Sequence, residues 1–233
     1  VGDSGTTPLG GGGLAWGDSP AGGALKPACK IYGVQTEACA RVYAKVKDLP
    51  DPSTPTTTIA DGIAVKNLGD VTIPILRENL DDIVTVSEEG IAHAVMTILE
   101  RSKSRVEGAA AAALGALLEG KVPVTENALC LLSGGNIDAT LLSRIIEKGL
   151  LKTHRLMHLE GIVSDRPGGV STLTGILAGL GANIWQIHHE RAFADLGLDQ
   201  TGTDLILQIR NEAHQQAVLA ALKERGYAFT LRS

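Results

Sequence analysis

Five consecutive apolar residues, Ala128 to Leu132 (ALCLL), run straight into the turn-forming residues Ser133, Gly134, Gly135 and Asn136. A strand with one wet face alternates apolar and polar side chains. An unbroken apolar run bounded by turn residues therefore predicts a strand covered on both faces, the habit of parallel sheets. Parallel strands need helical crossovers, and the sequence supplies them. Upstream, CKIYGV can form a strand, and DDIVTV is a short β-branched strand ending at Ser87, a good helix N-cap with Glu88 and Glu89 behind it. Ile91, Ala94, Val95, Ile98 and Leu99 then share one helical face. Glu107 to Leu118 is expected as a second helix whose alanines permit close packing. After SGGN comes a third, with Leu141, Leu142, Ile145 and Ile146 on one side and Gly149 as its stop. Strands alternating with helices imply an α/β sheet whose ligands sit beyond the carboxyl ends of the strands, where SGGN lies.

The rhythm changes near Leu156. Strand (Leu156 to Val163), helix (Gly168 to Leu180), strand (Asn183 to Arg191), strand (Asp204 to Arg210), helix (Glu212 to Arg225) and strand (Tyr227 to Arg232) follow in turn. That order predicts an α+β, ferredoxin-like βαββαβ domain. Val170, Leu173, Leu177 and Leu180 give its first helix a buried stripe, and Ala217, Val218, Ala221 and Leu222 do so for the second. Leu205, Leu207 and Ile209 mark one face of the third strand. Two domains are expected, residues 1–152 and 153–233.

Residues 1–28 are rich in Gly, Ser, Pro and Thr, a composition that predicts loop or disorder. Within them LGGGGLAWG suits either a flexible tail or a loop that holds an anion, and glycine alone does not separate the two. Pro50 to Thr58 carries three prolines and is expected as an extended surface connection. A net charge of −5 without a Lys/Arg-rich block argues against nucleic acid as a partner. The longest apolar run, Ala109 to Leu118, is about half of the ~20 residues that a membrane span needs, so no membrane partner is expected either. Cys29, Cys39 and Cys130 lack paired metal or redox spacing, and no targeting segment is visible. The expectation is a reduced, cytoplasmic protein.

Taken in order, GGGGL, TIADGIAV, LDDIVTVSEEGI, VEGAAAAALGALL and LSGGNID resemble the C-terminal half of the catalytic domain of threonine dehydratase (threonine ammonia-lyase). That family uses pyridoxal phosphate in the fold called type II. The remainder, with SDRPGGVSTLTGILAGLGANIWQIHHER, looks like an ACT domain, a small regulatory module that commonly binds amino acids. The resemblance implies a pyridoxal-phosphate-dependent threonine or serine ammonia-lyase, giving 2-oxobutanoate or pyruvate and ammonia. The alternative is a non-catalytic amino-acid-sensing or dimerisation module derived from such an enzyme. The family's Schiff-base lysine and its Gly-Asn-His segment precede the glycine loop and have no counterpart here. Lys66, in AVKN, does not correspond to that lysine. No catalytic residue is therefore assigned, and this chain alone is not expected to turn over threonine.

By the same resemblance, Gly10, Gly11, Gly12, Gly13 and Leu14 match the loop that receives the cofactor phosphate. Successive N–H groups without side chains can converge on an anion. Ser133 matches the hydroxyl that faces the pyridine nitrogen, where a neutral group does not enforce ring protonation as a carboxylate would. Glu107 falls near the cofactor cleft, with Asn136 a further possible contact. Read from residue type alone, Glu107 is a solvated acid at a helix start and Asn136 a helix cap. Serine racemases bind a divalent cation near the segment corresponding to GVQTEACAR. Gln35 and Arg41 stand where carboxylates would be needed, so no metal site is expected.

The ACT-like segment DRPGG leaves backbone N–H groups open between a strand and a helix. The resemblance implies effector binding at Asp165, Gly168, Gly169, Val170, Asn183 and Ile184, commonly across a dimer interface. The expected partners are thus a small amino-acid substrate, an amino-acid effector and further copies of the chain. Residue type alone also allows Asp165 as a cap, Asn183 as a turn residue and Ile184 as core. His188 and His189, adjacent in a strand, point to opposite faces, which disfavours joint metal binding. Trp185 reads as packing or, if exposed, as a subunit contact.

Overall fold

The structure is a computed structural model that describes residues 3–15, 17, 27–52, 57–65, 71–124, 126–191 and 197–232. The chain divides into two compact units, Val1–Ile145 and Ile146–Ser233.

The first unit is built on a parallel sheet in the order β3-β2-β1-β4, made of β1 (Ser4–Pro8), β2 (Lys30–Thr36), β3 (Asp82–Val86) and β4 (Ala128–Cys130). Its helices are α1 (Arg41–Val46), α2 (Thr72–Asn79), α3 (Glu88–Ser102) and α4 (Gly108–Leu118), and α5 (Ala139–Lys152) leads into the second unit. Two apolar clusters hold it together. Leu9, Val42, Ile73, Leu76 and Ile83 form one, and Val34, Ile91, Val95 and Ile98 with the alanines of α4 form the other.

The loop or disorder expected over residues 1–28 is wrong at Ser4–Pro8, which is an inner strand with all five residues buried. Small hydroxyl side chains carry no apolar signature, yet they hide well once their polar atoms are satisfied. Ser4 Oγ donates to the Pro123 carbonyl at 2.8 Å and Thr6 Oγ1 contacts Cys130 Sγ at 3.4 Å. The reverse error occurs at ALCLL. Its strand is parallel as expected, but β4 pairs only with β1 at the sheet edge, leaving Leu129 63% and Leu132 41% exposed. Neither apolar cluster includes them, so the run does not mark a strand covered on both faces.

The helix starts follow capping chemistry. Ser87 Oγ accepts the Gly90 N–H at 3.0 Å, and α3 buries Ile91, Ala94, Val95 and Ile98 as its periodicity predicts. Glu107 is the N-cap position of α4, which begins at Gly108. Asp138, not Asn136, caps α5: its Oδ1 accepts the N–H groups of Thr140 at 2.9 Å and Leu141 at 3.1 Å. Gly149 does not stop that helix, which runs to Lys152. It ends where His154 turns left-handed, at φ 51°, and Arg155 N–H returns to the Leu150 carbonyl at 2.7 Å. An interior glycine weakens a helix by only about 1 kcal/mol, too little to end one by itself.

The second unit contains β5 (Leu156–Ser164), α6 (Gly169–Gly179), β6 (Asn183–Glu190), β7 (Gln200–Gln208), α7 (Glu212–Glu224) and β8 (Phe229–Arg232). The sheet is antiparallel in the order β6-β7-β5-β8, the arrangement expected of a βαββαβ unit. Its core includes Met157, Leu159, Leu173, Leu177, Leu205 and Leu207. β7 begins at Gln200, earlier than the expected Asp204, because buried Thr201 and Thr203 continue the inward face of Leu205 and Leu207. Among the described residues no helix is long and apolar enough to cross a membrane.

Buried His214 ties the two helices of this unit together. The Leu180 carbonyl can only accept, so His214 Nε2 is the donor at 2.9 Å, and Nδ1 accepts the Arg210 N–H at 3.2 Å. His214→Leu keeps the bulk and strands both backbone groups. It should lower the unfolding free energy of this unit by about 2 kcal/mol, and a urea midpoint equal to that of the parent would disprove the role.

Candidate functional site

Thr6 stands opposite Cys130 in the parallel pairing of β1 with β4, and Leu131 N–H donates to the Thr6 carbonyl at 3.0 Å. The chain therefore leaves both strands at the same end of the sheet. From β1 it enters Gly10–Gly13, and from β4 it enters Ser133–Asn136. This is the carboxyl end, where sheets of this kind hold ligands.

The glycine loop is fixed, not slack. Leu9 is fully buried, and its side chain takes the space above Gly33, where a Cβ would lie 2.2 Å from Leu9 Cδ1. Leu9 N–H donates to the Val34 carbonyl at 2.7 Å. Gly10 presses on the following segment: a Cβ there would lie 3.2 Å from the Gly62 carbonyl and 3.3 Å from Val65 Cγ2. Gly12 has φ +92° and is buried, and a Cβ on it would meet Leu76 Cδ1 at 2.9 Å. Backbone angle and space both demand glycine there. Gly13 faces open space, and Gly13, Leu14 and Ala15 are helical, with Leu14 44% exposed.

Glu107 holds the second loop. It is half-buried, its N–H donates to the Gly134 carbonyl at 3.2 Å, and its Oε2 accepts the Asn136 N–H at 3.2 Å. A Cβ on Gly134 would lie 2.3 Å from Glu107 Oε1, and one on Gly62 would lie 3.7 Å from the same oxygen. Gly10 thus lies against Gly62, and Glu107 against Gly134 beside the exposed Ser133. The solvated helix-start acid that residue type suggests is not what Glu107 is, since its carboxylate holds the SGGN turn. Asn136 takes part through its backbone N–H, with its side chain at the exposed surface.

Sequence reasoning missed Glu88, which anchors the start of TIADGI. Its Oε2 accepts the Ile59 N–H at 2.8 Å, and its Oε1 accepts the hydroxyls of Thr36, at 3.0 Å, and Thr58. Nothing in the spacing distinguishes it from the neighbouring acid Glu89. Residues 53–56 of the proline-rich connection and Lys66 lie outside the described residues. Among the described residues no group of three or more His, Cys, Asp or Glu side chains is placed to hold a metal ion.

In the second unit the six effector candidates separate. Asn183 and Ile184 line a surface groove of about 470 Å³ with Ser171, Thr174, Gly175 and Ala178. The two carboxylate oxygens of Asp165 take Arg191 Nε and Nη2 at 2.8 Å each. Gly168 is exposed at φ +92°, and Gly169 packs so tightly that a Cβ would lie 2.2 Å from the Ser164 carbonyl. Val170 is half-buried. Trp185 is 52% exposed at a bulge between Ile184 and Gln186, while His188 and His189 are both exposed.

Comparison with known proteins agrees with the first unit. A family model described as pyridoxal-phosphate dependent enzyme matches residues 3–134, and the chain belongs to that family. Within it the chain groups with the threonine dehydratases of fold type II. The L-threonine ammonia-lyase of Thermotoga maritima is 37% identical over 221 residues, covering 94% of this chain and 55% of the relative. That of Geobacter sulfurreducens is 39% identical over 222 residues, again 94% and 55%. The chain therefore spans about half the length of these relatives. Of solved structures, a T.th. threonine deaminase superposes with a TM-score of 0.56 at 37% identity, over 59% of this chain and 51% of that one.

The Arg191 guanidinium holds the Asp165 carboxyl below the usual carboxylate range. A lowered folded-state pKa gives stability that is present above the unfolded value, about 4, and is lost as pH falls through the folded value. In Arg191→Gln the Asp165 carboxyl should titrate higher than in the parent when followed by carbon NMR, and coincident curves would show that the pair has no such effect.

Proposed function

We propose that this chain supplies the C-terminal part of a pyridoxal-phosphate-dependent ammonia-lyase acting on threonine or serine. Residues 1–152 form part of the catalytic domain and residues 153–233 an ACT regulatory domain. The observation that carries this reading is the shared exit of Gly10–Gly13 and Ser133–Asn136 from the carboxyl ends of adjacent parallel strands.

The residues present fit the cofactor. The cradle at Gly10 and Gly12 is one that a Cβ would fill, and it suits a phosphate received by the backbone N–H groups of Gly10, Gly11, Gly12, Gly13 and Leu14. The exposed Ser133 hydroxyl would meet the ring nitrogen. When bound, the cofactor supplies an electron sink for the substrate Cα. Ser133, being neutral, does not force a proton onto that ring. A weaker sink suffices where hydroxide leaves Cβ, since the negative charge at Cα is short-lived. Glu107, accepting the Asn136 N–H, holds the turn that carries Ser133. The lysine that the chemistry requires has no counterpart in this chain, so the reading needs one from outside it. The products would be 2-oxobutanoate or pyruvate, with ammonia.

A gene product spanning the full length of the relatives, purified without added cofactor, should be yellow and should change spectrum on addition of threonine or serine. A colourless protein that takes up no pyridoxal phosphate would end the enzyme reading.

The groove at Asn183 and Ile184 favours a second function within the same chain, the binding of a small amino-acid effector. Half-exposed Trp185, on a strand at the sheet edge, supports association with further copies. In calorimetric titration of this chain with isoleucine, valine, threonine and serine, at least one should release heat, and Asn183→Ala should weaken that signal. Silence with all four removes the sensing role.

A further inference from the structure

Gln35 lies in β2, beside the loop and outside every role described so far, yet only 1% of it is exposed. A buried amide must satisfy both its ends, and this one does so on two separate backbone segments. Its Nε2 donates to the Leu9 carbonyl at 3.3 Å, and its Oε1 accepts the Tyr43 N–H of α1 at 2.8 Å. The orientation is unambiguous, because a carbonyl only accepts and a backbone N–H only donates.

Leu9 is the residue before the glycines. Its side chain is fixed over Gly33 and its N–H is fixed on Val34, which leaves the rotation of the Leu9–Gly10 peptide plane as its free coordinate. In a trans peptide the carbonyl and the following N–H point in opposite directions. A bond that fixes the Leu9 oxygen therefore also aims the Gly10 N–H. We propose that Gln35 is a positioning residue that sets this peptide plane and so directs the first N–H of the glycine run at an anion. The inference rests on the reading of Gly10–Gly13 as the phosphate loop.

The part can be played only by a group that donates from one atom and accepts at the other. An ionised carboxylate of the same length accepts from Tyr43 but repels the Leu9 oxygen. A protonated one donates again. Gln35→Glu should thus lose the function at high pH and regain it as pH falls, within a workable range because burial raises a carboxyl pKa. Gln35→Met should lose it at every pH.

The probe is pyridoxamine 5′-phosphate, which has no aldehyde to react with lysines. Its affinity for the purified chain, read by fluorescence, is expressed for each variant as a ratio to the parent at the same pH. Gln35→Glu should bind about tenfold more weakly at pH ~8, the equivalent of one hydrogen bond, and approach the parent near pH ~5. A folded Gln35→Glu whose ratio does not change with pH overturns the inference and leaves the phosphate reading intact. A parent chain that does not bind the probe defeats the phosphate reading, and the inference falls with it. If Gln35→Glu does not fold at pH ~8, refolding at pH ~5 decides: recovery of a binding-competent protein supports the role, and failure at both values sinks it.

Discussion

The contact of Leu9 with Gly33 is the anchor of the whole carboxyl edge of the first sheet. Burying a leucine side chain is worth roughly 2 kcal/mol, but the geometry matters more than the energy here. Gly33 has no Cβ, so Leu9 descends onto β2 at the point where β1 ends, and the chain must turn there. The same device recurs. Gly108 lets the Ile59 carbonyl approach to within 2.1 Å of where a Cβ would stand, and Gly134 leaves room for the Glu107 carboxylate. At these three positions glycine is a means of close approach, and the loops around it are held by packing.

That distinction explains what the sequence could and could not reveal. The helix over Ile91 to Ile98 and, in the second unit, the helices and β7 were legible because each buries one face and so writes a regular apolar period. Strands β2 and β3, which do not alternate in burial, were legible from their apolar and β-branched content. Ser4–Pro8 was not, since its burial rests on hydroxyls whose partners, Pro123 and Cys130, are more than a hundred residues away. ALCLL was legible as a strand but misleading about its cover, because apolarity records a preference for burial without saying what provides it. The end of α5 failed for a local reason: the left-handed residue was His154, and glycine was the wrong sign to look for.

The candidate site rests on a different kind of signal. Gly10–Gly13 and SGGN are weak signals separately, and the order of the motifs around them carried the reading. The parallel pairing of β1 with β4 gives that order a spatial meaning. What no motif could disclose is how the loops are braced. Gln35, Glu88 and Glu107 are ordinary polar residues in sequence, and their roles lie in partners brought to them by the fold. Asp165, too, has a partner that the fold alone reveals, Arg191.

A site for an anion in a chain of net charge −5 must also manage its own acids. Of the carboxylates near the glycine loop, Glu88 holds the start of TIADGI and Glu107 holds the SGGN turn, and an uncompensated negative charge near a phosphate would weaken its binding. Both are given donors. Glu88 accepts two hydroxyls and the Ile59 N–H, and Glu107 accepts the Asn136 N–H. Donors that satisfy a carboxylate stabilise its charge and fix its position. Gln35 and Ser133, two further polar groups at this edge, are neutral. At the carboxyl end of this sheet acids brace the backbone at Ile59 and Asn136 and a neutral amide braces Leu9, so the loops keep their shape through partners that the fold brings to them.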